Sequence, residues 1–240
     1  MGTRARLISA VTLLLLAAPN VPAEELPKAY FRLMEAGVAQ VEQRLNAQSN
    51  ADLETLEKEE PRSTPWADWK HFPYSILAPA VLYTKRHPDN PHYQDKKMLA
   101  LALRLGDLFA SENEKGRFRP RLDSDWDTYI WLEAYRLLDR ELGVERRARW
   151  RRAIEENIAP IVPNAIERLD FPWYQSPFIS TSPNHYGQWA QLLYLAGEVF
   201  GKPEWVKLGT QILHRFAAVE QAPDGYWGEH SSSGPTIGYD

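Results

Sequence analysis

Ser180-Thr-Ser-Pro-Asn-His-Tyr-Gly-Gln-Trp189 turns an aromatic loop into a helix, and its reading decides the fold. Ser182 carries an N-cap side chain and Pro183 has the fixed φ of a first helical residue. Asn184 and His185 therefore fall in the first turn, at the positive end of the helix dipole. From there Trp189, Leu192, Leu193, Ala196, Val199 and Phe200 recur at helical spacing, a stripe with His185 at its loop-proximal end. His185 either caps a core or looks into a cleft, and the dipole favours its neutral form.

The same pattern extends in both directions. Helical spacing predicts helices over Leu26–Ala47, Tyr74–Lys85, Tyr93–Ser111, Asp125–Leu142, Glu145–Leu169, Pro183–Phe200 and Pro203–Glu220. Three of the connections are short breakers, His87-Pro-Asp-Asn-Pro91, Gly143-Val144 and Gly201-Lys202. The others are long and rich in aromatic residues, so a unit of long loop, helix, short turn and helix recurs about every fifty residues. Short turns make each helix pair antiparallel and send all the long loops to one end. Trp66, Trp69, His71, Arg119, Asp125, Trp126, Trp173, Asn184, His185, Trp227, Glu229, His230 and Tyr239 are then candidates for one rim. The expected fold is all-α: antiparallel helical hairpins forming an incomplete (α/α) toroid, truncated at its C-terminal end, with an open solenoid as the alternative closure. The Gly225-Tyr-Trp-Gly and Gly234-Pro-Thr-Ile-Gly238 segments read as a small hairpin or an irregular loop.

Residues 1–23 read as a secretory signal peptide: a basic start with Arg4 and Arg6, an apolar run from Leu7 to Ala18 too short to span a bilayer comfortably, and small residues at Val21 and Ala23. Residues 24–240 then form the toroid-like domain of an exported protein, periplasmic or secreted, with no membrane contact after cleavage. That domain has no cysteine and relies on its core rather than on disulfides. A net charge of −4 argues against a nucleic-acid partner. The 9 Trp and 11 Tyr exceed what the core alone explains, because many stand in loop-like stretches beside polar residues. There is no phosphate loop, no nucleophile elbow and no Cys/His zinc spacing, so no cofactor and no metal are expected.

Pro183-Asn-His-Tyr-Gly-Gln-Trp189, opening a helix after a tryptophan-bearing loop, resembles the signature of (α/α)-toroid polysaccharide lyases, notably alginate lyases and the heparinase II/III-like group. In that resemblance a catalytic tyrosine follows one hairpin later, where this chain has Tyr239. It implies β-elimination on an acidic polysaccharide or oligosaccharide containing uronic acid, with Asn184, His185 and Tyr239 as the catalytic residues. The chemistry suits them: removing the C5 proton loads charge onto a carboxylate already anionic, which needs donors placed in advance. Asn184 supplies an amide, the helix N-terminus adds a favourable potential, and His185 and Tyr239 divide the proton transfers between them. Lys70, Arg119 and Arg121 are candidates to bind carboxylates, and Trp69, Trp126, Trp173, Trp189 and Trp227 to stack on sugar faces. Glu229 and His230 are further binding candidates on a polar loop beside Tyr239.

Two other classes fit. Asp123, Asp125, Asp127 and Glu229 offer the acid and base of a glycoside hydrolase, although Asp123 and Asp125 before a helix also serve as ordinary caps. A non-catalytic helical repeat that binds glycans or proteins explains the hairpins and the aromatics, but not the joint presence of Asn184, His185 and Tyr239.

Overall fold

The computed structural model describes residues 26–48, 74–116, 126–169, 183–218, 229–231 and 234–236. These residues are all-α apart from one small hairpin: α1 (Leu26–Gln48), α2 (Tyr74–Thr84), α3 (Lys96–Glu114), α4 (Trp126–Leu138), α5 (Val144–Ile158), α6 (Ile161–Leu169), α7 (Pro183–Phe200) and α8 (Pro203–Ala218), then β1 (Glu229–Ser231) and β2 (Gly234–Thr236).

Local chemistry sets the boundaries. The turn after α2 is built on Asn90, which is buried; its amide donates to the carbonyls of Leu82 and Lys85, both at 2.7 Å, and so satisfies groups the helix end leaves open. Helix α3 starts at Lys96 rather than at the expected Tyr93. Gln94 has a positive φ of 61°, and Asp95 is the N-cap, its side chain accepting from the Lys97 amide at 2.8 Å. Gly201, with φ 68°, ends α7 in the left-handed conformation and lets the Lys202 amide reach the Gly197 carbonyl at 2.9 Å.

One expected helix is two. The apolar period over Glu145–Leu169 is continuous, but α5 ends at Ile158 and α6 begins at Ile161. Pro160 has no N–H to continue the hydrogen-bond ladder, and its ring clashes with the preceding turn. The last bond before the break is the Ala159 amide to the Glu155 carbonyl, 2.9 Å. Pro163 is tolerated because it sits in the first turn of α6, where amides have no intrahelical partner.

The packing has two layers. Helix α2 touches α1, α3 and α4, while α4 touches α2, α5 and α7, so α2, α4 and α7 are successive neighbours. Behind them α3 packs on α5, and α6 lies against α5, α7 and α8. Directions follow from cross-helix contacts. Asp107 meets Arg146 and Trp150, whereas Asn113, one and a half turns on, meets Glu156 and Asn157; α3 and α5 are therefore parallel. Gln191 meets Tyr129, and Phe200 meets Tyr135 with ring centroids 5.5 Å apart, so α4 and α7 are parallel as well. Tyr83 near the end of α2 pairs with Glu141 just past α4, which sets α2 parallel to both.

The core lies between these layers. Trp131 of α4, Trp150 of α5 and Phe109 of α3 are buried and meet at ring-centroid distances of 5.6 and 6.1 Å. Gly106 of α3 lies against the Trp150 ring, where any side chain would overlap it. Helices α7 and α8 approach still more closely: a Cβ on Gly209 would stand 2.6 Å from the Ala190 carbonyl oxygen.

Candidate functional site

Because α2, α4 and α7 are parallel, their N-terminal turns lie at one end of that layer. Asp127 is in the first turn of α4, and Asn184 and His185 are in the first turn of α7, the neighbouring helix. The backbone thus places the two first turns side by side, at the end where the long loops join the helices. For Asn184, His185 and Trp126 the description covers backbone position alone. The same holds for Glu229 and His230, which lie in β1, paired with Thr236 and Pro235 of β2, rather than on a loop. Trp69, Lys70, Arg119, Arg121, Trp173, Trp227 and Tyr239 lie outside the described residues, as do Trp66, His71, Asp123 and Asp125.

Trp189 requires a correction. Its side chain is 1% exposed and packs edge-on against Tyr186, with ring centroids 6.2 Å apart, so the indole belongs to the core and has no face for a sugar. Its place in the apolar stripe with Leu192 and Leu193 is what holds it there.

Asp127 is the most perturbed acid among the described residues. Burial pushes its carboxyl up to about 7, against the pull of the α4 dipole, which favours the anion. A carboxyl that titrates near neutrality can give or take a proton at working pH.

A second set of polar groups lies farther along the helices. Trp131 points from α4 toward the α3–α5 layer, so Tyr129, Glu133 and Arg136 occupy the opposite face. There the Tyr129 hydroxyl donates to Glu133 Oε1 at 3.0 Å and accepts from Gln191 Nε2 of α7 at 3.2 Å. Burial and the Glu133 charge push the Tyr129 phenol up to about 12, which keeps it a donor at ordinary pH. Position 184 lies two turns before Gln191 on the same face of α7, so this network and the first turn of α7 share one surface. Sequence reading missed the network. Its members sit at i, i+4 and i+7 of α4, a spacing that resembles any solvated helix face, and their partner is 62 residues away.

Among the described residues no group of three or more His, Cys, Asp or Glu side chains could hold a metal ion, and no helix is long and apolar enough to cross a membrane. No family model matches the chain, and the comparisons with curated proteins and with solved structures found no match.

Proposed function

We propose that this chain is an exported polysaccharide lyase that cleaves a uronic-acid-containing polysaccharide by β-elimination. The observation that carries the reading is the parallel alignment of α4 and α7, which sets Asn184 and His185 beside the first turn of α4 at the loop-bearing end. In this reading the α7 N-terminus and the Asn184 amide stabilise the charge that grows on the substrate carboxylate as C5 loses its proton. His185 and Tyr239 share the proton transfers: one removes the C5 proton, the other delivers a proton to the leaving glycosidic oxygen. The two-layered array is taken as a section of an (α/α) toroid wall, with α2, α4 and α7 on the inside. Residues 1–23 act as the export signal.

Asp127 favours a second reading, a glycoside hydrolase, because a carboxyl held near 7 is suited to act as a general acid. The two chemistries leave different products. Elimination forms a conjugated C4–C5 double bond that absorbs in the ultraviolet, whereas hydrolysis yields reducing ends without it. Incubation with a panel of uronate polysaccharides, read by both assays, separates them: ultraviolet absorbance lost in His185→Ala and Tyr239→Phe supports the lyase, and reducing ends alone, lost in Asp127→Asn, support the hydrolase.

A further inference from the structure

On the face of α4 opposite Trp131, Glu133 holds Arg136 through two hydrogen bonds to one carboxylate oxygen, from Nε at 3.0 Å and from Nη2 at 2.7 Å. The other oxygen accepts from Tyr129, which is itself held by Gln191 of α7. Glu133 is thus fixed by its own helix and by the neighbouring one, and Arg136 is fixed by Glu133. A guanidinium has five N–H donors, and this pairing uses two. The outer edge, formed by Nη1 and the second Nη2 hydrogen, remains on a side chain that is 51% exposed. Two parallel N–H groups on a planar edge match a carboxylate, and an arginine already immobilised loses less freedom on binding than a free lysine. Because Glu133 cancels much of the long-range charge, what Arg136 offers is short-range and directional.

The geometry points to Arg136 as the residue that reads the carboxylate of a uronate unit bound away from the bond that is cleaved. This rests on the lyase reading above and extends it: Arg136 lies nine residues along α4 from Asp127, about 14 Å at 1.5 Å per residue. A chain reaching from the first turns to Arg136 must be several sugar units long, so Arg136 senses long substrates and not short ones.

Calorimetric titration of the full chain tests this without requiring turnover. The probes are a long and a short oligouronate of defined length, prepared from mannuronate and from galacturonate, and the long oligomers after reduction of their carboxyl groups. Arg136→Gln is expected to weaken binding of one of the long oligouronates about tenfold or more, as for loss of one bidentate charge-assisted pair. The short and the carboxyl-reduced oligomers should bind as before, and Arg136→Lys should recover only part of the loss. Circular dichroism of the variant should match the wild type, since the side chain is half exposed. An equal loss on the carboxyl-reduced oligomer, no loss at all, or no binding of either long oligouronate by the wild type overturns the assignment. Failure of the lyase reading is distinguishable: it leaves binding and its dependence on Arg136 intact but gives no unsaturated product.

Discussion

The indole nitrogen of Trp150 on α5 donates to Asp107 Oδ1 on α3 across 2.9 Å, and the same carboxylate takes a forked pair of hydrogen bonds from Arg146. One acid therefore satisfies the polar end of a fully buried tryptophan and ties α3 and α5 together in parallel. Asp107→Ala leaves the buried N–H without its acceptor and should cost about 1–3 kcal/mol of stability. Chemical denaturation measures it. A midpoint unchanged from wild type would show that the indole finds another partner.

Close approach between helices gives a contrast within one residue type. Gly106 faces the Trp150 ring and Gly209 faces the α7 backbone, so Gly106→Ala and Gly209→Ala should each destabilise by about 1–3 kcal/mol or more. Gly37 in α1 has open space where a Cβ would go, and there alanine should stabilise by about 0.5–1 kcal/mol through helix propensity. The order of the three melting temperatures checks the packing, and a stabilising Gly209→Ala would contradict the α7–α8 contact.

Asp127 makes stability depend on pH in a direction opposite to the usual paired carboxylate. Its folded value of about 7 lies above the ordinary 3.8, so the folded chain keeps a proton that the unfolded chain has released. This contribution is neutral in acid, turns unfavourable as pH rises from about 4 to 7, and levels off above that. Asp127→Asn should match wild type near pH 4 and exceed it near pH 8, by on the order of 4 kcal/mol at most. Unfolding curves collected across that range decide it; a difference that does not vary with pH would mean the carboxyl is hydrated.

Most helices were legible because a 3.6-residue period needs only one face to be apolar, and Phe31, Val38 and Leu45 on α1 or Leu101, Leu105 and Phe109 on α3 keep it over several turns. The break at Pro160 escaped because the period runs on through it, although the proline itself was the signal. Trp189 was read as a binding residue because it closes the Pro183–Trp189 signature, yet the stripe it shares with Leu192 already placed it inside. The Tyr129–Glu133–Arg136 array could not be read at all, since what distinguishes it from a solvated face is Gln191 on another helix. The shared end of α2, α4 and α7 was legible from the short turns. The proposed chemistry was read from a few residues, Asn184, His185 and Tyr239, of which only the first two lie among the described residues, and it is the central claim.

Ultraviolet absorbance of the reaction products tests that claim most directly. Wild-type protein incubated with polymannuronate, polygalacturonate and a glycosaminoglycan should generate the conjugated double bond from one of them. Asn184→Ala and His185→Ala, each shown to be folded, should reduce the rate about a hundredfold or more, as for loss of an oxyanion donor or a general base. An absorbance rise that persists unchanged in both variants, or none with any of the polymers, would contradict the account.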